Sequence, residues 1–569
     1  MNAGELGQGE LREAVARLLV VRASGHATDR QRRYPRWELS NQELEQLLGA
    51  GVGGVILLGG TATELQQRCR TFQRWARQPI LLCADVEEGV GQRFEGASWL
   101  VPPMALGRLH RRAPRQAVEL AENYGRCCGN QAKRCGLNWV LAPVCDVNNN
   151  PDNPVINVRA WGEDPNTVGE LTGAFQRGLA ATGVLGCAKH FPGHGDTASD
   201  SHLELPLLQH SRERLESLEL QPFRTLIQAG VSSVMTAHLL IPALDEQWPA
   251  TLSANVLTRL LRDDLGFKGL VVTDALVMEA IAARYGAGEA AVLAFAAGAD
   301  LILMPADAVA ALDALCDALL SGRVPMARLH DSLNRRQTAL QSIQLPLDSS
   351  DNEHTIETAE ERTLSLELVK QSLEIASPAF ANELTQPKES SQANPIEVIN
   401  LIRVDGVLPC PVLPANAPAI LLPKALGFQS LVSHPLGISP WANPADPAAP
   451  LALDRIGEGP LLLQLFVRGN PFQANRSAQE PWTDAIKQLI GLNRLFGLAV
   501  YGSPYVWEAL SALLPRSIPA AYSPGQMPDA QQELLQQLLQ QLLQQLKQHR
   551  LNPDPASAPS TFAINEFTD

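Results

Sequence analysis

Along the first 345 residues, short apolar or β-branched runs alternate with longer stretches whose apolar positions recur every three to four residues. A short unbroken apolar run fits a strand buried on both faces, and a 3.6-residue period fits an amphipathic helix packed against it. Eight such runs are present: Arg17–Ala23, Gly53–Leu58, Pro79–Ala84, Asn138–Val144, Val184–Ala188, Ser232–Thr236, Leu270–Thr273 and Asp300–Met304. Segments such as Thr63–Arg77, Gln116–Cys135, Pro165–Thr182 and Arg212–Ala229 carry the helical period between them, and Ala308–Leu320 follows the eighth. Strand and helix in alternation predict a parallel α/β sheet, and a count of eight favours a closed (β/α)8 TIM barrel over an open doubly wound sheet.

Past residue 345 the pattern changes. Residues 346–358 are acidic and polar and read as a linker. Residues 359–549 carry strand-like runs at Ile396–Ile402, Ala419–Leu422, Leu461–Val467 and Gly497–Tyr501 among prolyl loops, which predicts a second, smaller, sandwich-like α/β domain. Its last stretch, Gln531–Gln548, repeats Leu pairs between Gln pairs, so Leu534, Leu535, Leu538, Leu539, Leu542, Leu543 and Leu546 form one apolar stripe on a helix. That stripe serves either as a docking face on the second domain or as a contact between two copies, which leaves monomer and homodimer both open. Residues 550–569 read as a flexible tail.

Composition narrows the classes. Forty-six Lys and Arg against 60 Asp and Glu give a net charge of −14, which repels polyanions and argues against a nucleic-acid partner. With 45% hydrophobic and 19% charged residues the chain has the material for packed cores. Its nine cysteines are irregularly spaced and never form Cys-x-x-Cys, so neither a disulfide framework nor a zinc knuckle is indicated. Met1–Glu10 lacks the basic start and apolar stretch of an export signal, and no segment approaches the length of a membrane span. These features predict a cytoplasmic protein without a membrane partner.

A barrel places its chemistry where strands end. Asp85 follows the third run, Asp146 the fourth, Lys189 and His190 the fifth, His238 the sixth and Asp274 the seventh. The densest stretch is Lys189-His190-Phe191-Pro192-Gly193-His194-Gly195-Asp196-Thr197-Ala198-Ser199-Asp200-Ser201-His202, in which Pro and Gly impose a loop over the barrel mouth. Two chemistries compete for it. His190, His194 and His202 with an aspartate would suit a zinc ion, although Lys189 would set a positive charge beside the cation. Alternatively Asp200 orients His202 and tunes it as a proton donor, with Asp274 as the anionic partner. A carboxylate on one side of a sugar and a proton donor on the other meet the demand of retaining glycoside hydrolysis.

These residues carry a resemblance. Lys-His-Phe-Pro-Gly-His-Gly followed by Asp-Ser-His resembles glycoside hydrolase family 3, in particular its bacterial β-N-acetylglucosaminidases (β-hexosaminidases) of cell-wall recycling, over roughly residues 12–340. The resemblance implies a barrel fold and a metal-independent enzyme without cofactor, acting on a small carbohydrate or muropeptide. It implies Asp274 as nucleophile, His202 as general acid/base and Asp200 as its dyad partner. It further implies Asp85, Arg93, Arg159, Lys189 and His190 as sugar-binding residues. Two departures stand out: Gly89-Val90-Gly91 replaces the paired glycines usual after Asp85, and Ala275, where β-glucosidases usually carry Trp, follows Asp274. The second favours the N-acetylglucosaminidase group over a β-glucosidase or xylosidase. A phosphorylase of the same family and a non-catalytic sugar-binding protein complete the alternatives.

Overall fold

The computed structural model describes residues 7–197, 205–344, 355–376, 398–406, 408, 410–443, 446, 448–468 and 480–551, with side chains to 544. The chain divides into two compact units, one running to Ser365 and the other from Leu366.

In the first unit the eight apolar runs form β1 (Leu19–Ser24), β2 (Gly54–Leu58), β3 (Leu81–Ala84), β4 (Trp139–Val140), β5 (Cys187–Phe191), β6 (Ser233–Thr236), β7 (Leu270–Val272) and β8 (Ile302–Leu303). One sheet runs β4-β3-β2-β1-β8 and another β5-β6-β7, with every pairing parallel. Single parallel bridges join them into a ring: Trp139 to Leu185 beside β4 and β5, and Val272 to Leu301 between β7 and β8. The backbone donations Val140 N to Leu185 O (2.8 Å) and Thr273 N to Leu301 O (3.1 Å) hold those seams. The closed parallel barrel is the architecture the alternation predicts.

Side chains along a strand alternate faces, so alternate residues line the barrel interior. Val20, Ile56, Leu81, Cys83, Trp139, Leu141, Leu185, Cys187, Met235, Leu270, Val272, Leu301 and Leu303 form one buried cluster, against which Leu340 and Ile343 also pack. All eight strands contribute to it, so the interior is a packed core rather than a pore. The connecting helices start on side-chain caps. Thr61 Oγ1 accepts from Glu64 N (3.1 Å) while Thr61 N donates to Glu64 Oε2 (2.9 Å), a reciprocal pair that satisfies two orphan donors at the start of Ala62–Trp75. At the start of β8 the buried Asp300 accepts from Val271 N (3.0 Å) and Ser332 Oγ (2.7 Å) and pairs with Arg262, Arg328 and Arg335.

The second unit is built on one six-stranded sheet. Its strands are β9 (Glu374–Ile375), β10 (Ile399–Val404), β11 (Gln429–Ser433), β12 (Leu461–Val467), β13 (Leu495–Gly502) and β14 (Ala520–Ser523). They lie in the order β11-β10-β12-β13-β14-β9, parallel except for the antiparallel β9. β12 is buried throughout, and its alternation feeds two cores: Leu461, Leu463, Leu465 and Val467 pack with Trp482 and Trp507, and Leu462 and Phe466 pack with Leu534, Leu535, Leu538, Leu539 and Leu542. The Gln/Leu stretch is therefore a helix, Pro528–Leu551, whose stripe covers one face of this sheet. Gln464, the polar exception on that face, donates to Asn400 Oδ1 (2.7 Å) and Ala419 O (2.8 Å) and accepts from the Tyr501 hydroxyl (3.2 Å), so both polar atoms of its buried amide are paired.

Candidate active site

The interior alternation places the site. Leu81 and Cys83 point into the barrel, so Asp85 continues on the same face one layer higher. Leu185 and Cys187 lead in the same way to Lys189, and Leu270 and Val272 lead to Asp274. Three chemical groups from three strands thus crown one apolar core at the C-terminal end of the barrel.

Lys189 is almost wholly buried and donates to Asp85 Oδ1 at 2.7 Å, with Glu87 Oε1 at 2.6 Å. Glu87 in turn receives a two-pronged contact from Arg159, Nε to Oε2 and Nη2 to Oε1, both at 2.8 Å. The fork of a guanidinium on a carboxylate fixes both partners in plane. Burial alone disfavours the Glu87 carboxylate, but the charges of Arg159 and Lys189 hold its carboxyl well below the usual range. Burial also works against the Lys189 ammonium, and Asp85, then Glu87, outweigh it, so its pKa is raised. Two cations and two anions therefore neutralise each other in the barrel mouth. Asp85, 36% exposed at its side chain, keeps Oδ2 without a hydrogen bond among the described residues, an acceptor available to a hydroxyl-rich ligand. Arg93 is exposed and, among the described residues, hydrogen-bonds only through Nε, donating to Asp85 O at 3.0 Å.

His190 is oriented from both sides. Its Nδ1 lies 2.7 Å from Asp146 Oδ2, and its Nε2 lies 3.5 Å from Arg159 Nη2. The ring is thus held between a carboxylate and a guanidinium. Asp146 is fully buried and also accepts from the backbone N–H of His194 at 2.7 Å. Burial would raise its carboxyl, and the His190 charge and hydrogen bond lower it below the usual value. Burial pushes His194 down to about 4, against the pull of Asp146 and Asp274, so this ring is neutral at pH 7. Its Nδ1 meets Thr197 Oγ1 at 2.8 Å.

The loop after β5 leaves through a tight passage. A side chain at Gly195 would put Cβ 1.7 Å from Val147 O, and Gly193 holds φ +131 with Glu219 packed against it. Only glycine fits either place. Asn153 fastens the same turn by donating to His194 O (2.9 Å) and Gly195 O (2.8 Å). Asp200 and His202 lie outside the described residues.

Asp274 is half-buried beside Ala275 and Val277, which pack on the interior core. Its Oδ1 accepts from Ala275 N at 2.7 Å, and its own N–H donates to Thr236 Oγ1 at 3.3 Å. Thr236 Oγ1 lies 2.8 Å from Thr251 Oγ1, which lies 2.8 Å from His238 Nδ1. His238, fully buried, reaches Ala275 O through Nε2 at 3.1 Å. The strand-end histidine thus braces the backbone that carries Asp274.

Of the site-forming residues, Glu87 is the one the sequence reading does not single out, while Asp146 and His238 figure there only as strand-end groups and His194 only as a candidate zinc ligand. Glu87 had a usable signal, since it stands two residues beyond Asp85 and so on the same face of an extended chain. Asp146 stands at a strand end, but its pairing with His190 had no signal, because the two are 44 residues apart in sequence. As for metals, His190 is already committed to Asp146 and lies beside the Arg159 guanidinium, a poor neighbour for a cation. Among the described residues, Asp196, His210 and Glu219 are grouped closely enough to hold an ion. Arg214 already supplies countercharge there, at 3.3 Å from Asp196 and 3.2 Å from Glu219.

A closed parallel barrel with paired carboxylates and cations at its strand ends defines the chain as a (β/α)8-barrel enzyme. Residues 10–339 match the glycosyl hydrolase family 3 N-terminal domain and residues 391–540 the bacterial glycosyl hydrolase family 3 C-terminal domain, and the chain belongs to that family. It is 32% identical over 394 residues to beta-hexosaminidase A of Pseudoalteromonas piscicida, a match that takes in 64% of this chain and 62% of that protein, less than two thirds of its length. It is 38% identical over 285 residues to the beta-hexosaminidase of Tolumonas auensis, covering 49% of this chain and 84% of that one. Among solved structures, the family 3 beta-N-acetylglucosaminidase from Paenibacillus sp. str. FPU-7 aligns with TM-score 0.71 and 30% identity over 94% of this chain and 97% of its own. Among the described residues, no helix is long and apolar enough to cross a membrane.

Proposed function

We propose that the protein is a retaining β-N-acetylglucosaminidase that releases terminal β-linked N-acetylglucosamine from peptidoglycan-type fragments in the cytoplasm. The observation that supports this reading most is the interior face that Cys83, Cys187 and Val272 define below Asp85, Lys189 and Asp274, on which a sugar-binding acceptor and a nucleophile would lie together. The likeness to the Paenibacillus N-acetylglucosaminidase over nearly the whole of both chains supports the choice of sugar.

In this reading the Asp274 carboxylate attacks the anomeric carbon as His202, oriented by Asp200, protonates the departing oxygen, and a covalent glycosyl ester forms. His202 then takes a proton from water, which attacks the same carbon and frees Asp274. Asp85, Arg93, Arg159, Lys189 and His190 hold the sugar hydroxyls, and Glu87 and Asp146 fix the cations and the ring that do so. Binding contacts remote from the reacting carbon become positioning.

The deciding experiment compares two aryl glycosides that differ only at C2. The acetamido sugar is expected to be cleaved with a kcat/KM at least about 100-fold above the hydroxyl sugar, a gap a buried polar site readily supplies. Equal rates would overturn the assignment of the sugar. His202→Ala is expected to reduce kcat/KM by roughly 10²- to 10⁴-fold on a substrate with a poor leaving group and far less on one with an acidic phenol, because only the former needs protonation. Equal losses on both would remove His202 from the acid role.

A further inference from the structure

The turn that carries Asp274 is held from both neighbouring strands. On the β8 side, Leu276 N donates to Leu303 O and Val277 N to Met304 O, both at 3.0 Å. On the β6 side the partners are polar side chains. Thr236, the last residue of β6, and His238, two residues on, are both fully buried. So is Thr251, which the 3-10 turn Ala250–Leu252 brings back to the strand end, with Ala250 N donating to Leu239 O at 2.7 Å. Polar groups removed from water in this way are costly unless each is paired.

They pair with one another and with the turn. Asp274 N donates to Thr236 Oγ1 (3.3 Å), Thr236 Oγ1 and Thr251 Oγ1 lie 2.8 Å apart, Thr251 Oγ1 lies 2.8 Å from His238 Nδ1, and His238 Nε2 lies 3.1 Å from Ala275 O. A carbonyl only accepts, so Nε2 carries a proton. In the neutral ring Nδ1 accepts from the Thr251 hydroxyl, which accepts in turn from Thr236, so the hydrogen bonds all run one way. Ala237 O, 2.9 Å from Thr251 Oγ1, is a second acceptor for the same hydroxyl. The chain begins on the amide of Asp274 and returns to the carbonyl of Ala275. Between those points lies the Ala275 amide, which donates to Asp274 Oδ1 at 2.7 Å. Three successive peptide units are thus fixed: the first by Thr236, the second by the Asp274 carboxylate itself, and the third by His238 and Leu303.

A reacting group gains rate from being held where it must act, because its ordering is complete before the transition state. We infer that Thr236, Thr251 and His238 form one positioning unit that sets the Asp274 carboxylate for attack on the anomeric carbon. Each member acts through the backbone of the turn and gives neither a proton nor a bond to the reaction. The inference rests on the reading of Asp274 as nucleophile and adds the residues that aim it. The sugar-binding groups are held by one another, Lys189 with Asp85 and Glu87, and Glu87 with Arg159, so they keep their places when the unit is broken.

The test measures kcat on 4-nitrophenyl β-N-acetylglucosaminide and the Ki of N-acetylglucosamine, both with the full-length enzyme. Thr236→Val and Thr251→Val keep the shape of the side chain and remove one link each. A buried hydrogen bond lost with its partner left unsatisfied corresponds to about 10- to 100-fold. Each variant is therefore expected to lower kcat by that factor, with Ki within about twofold of the wild type. Because the unit works only when complete, the double variant should fall no further than the weaker of the two single variants. His238→Gln keeps an N–H for Ala275 O and should recover about tenfold or more of the kcat lost in His238→Ala; if the alanine variant does not fold, the two valine variants decide. A wild-type kcat in Thr251→Val, single losses that multiply in the double variant, or a Ki that rises in step with the fall in kcat would each overturn the unit. If Asp274→Ala is inactive while Thr251→Val is unimpaired, the unit fails alone. If Asp274→Ala turns over near the wild-type rate, or the wild type cleaves nothing, the nucleophile reading fails and the unit with it.

Discussion

Asp274→Ala is expected to lower kcat on an aryl N-acetylglucosaminide by roughly 10⁴-fold or more, the scale of losing a nucleophile that acts in concert with an acid and binding groups. The side chain is half-buried, and the neighbouring Ala275, Val277, Leu276 and Val272 supply the packing, so the barrel should survive the change. Thr236 and His238 hold the backbone rather than the carboxylate, and they remain. In the cavity left behind, added azide should restore turnover and give the α-glycosyl azide, since a single displacement inverts the anomeric carbon. Product identity by NMR checks this. A variant that turns over within tenfold of wild type would remove Asp274 from the reaction.

The second large effect concerns a residue that touches no reacting atom in this account. Glu87→Gln keeps the shape of the side chain but leaves Arg159 and Lys189 facing each other with only Asp85 between the charges. Taking one charge from a buried network typically costs about 3–5 kcal/mol. A loss of roughly 100-fold or more in kcat/KM is expected, carried by both KM and kcat as Lys189 and Arg159 leave their positions. The sign of the pH effect identifies the cause. Asp85 and Glu87 now raise the Lys189 pKa against the effect of burial, so the charged ammonium persists to higher pH than usual. Without Glu87 its pKa drops, so the Ki of N-acetylglucosamine, which does not need the acid, should begin to rise at a lower alkaline pH in the variant than in the wild type. A Ki with unchanged alkaline dependence, with the loss confined to thermal stability, would make Glu87 a structural residue only.

Much of this arrangement is legible before any coordinates. The eight apolar runs and the strand-end acids at Asp85 and Asp274 follow from periodicity alone, because alternation along a strand is local. The long composite motif beginning at Lys189 is also local, and it leads to the family that the domain matches identify. What sequence reading could not supply is pairing across the barrel. Lys189 meets Asp85 over 104 residues, Arg159 meets Glu87 over 72, and His190 meets Asp146 over 44. Such contacts are set by the closure of the sheet between β4 and β5, where the isolated bridges Trp139–Leu185 and Val144–Lys189 do the joining. The same holds for the Leu stripe of the final helix, whose target face on β12 and β13 emerges only once the second sheet is assembled.

The central claim, a covalent glycosyl-enzyme on Asp274, is tested most directly by intact-protein and peptide mass spectrometry after incubation with a 5-fluoro-N-acetylglucosaminyl fluoride. Fluorine beside the ring oxygen slows both steps, and the fluoride leaving group preserves the first, so the ester accumulates. The account predicts one added sugar per chain, located on the peptide carrying Asp274 and absent from Asp274→Ala. A sugar on a different residue, or turnover of the probe with an inverted product and no adduct, would contradict it.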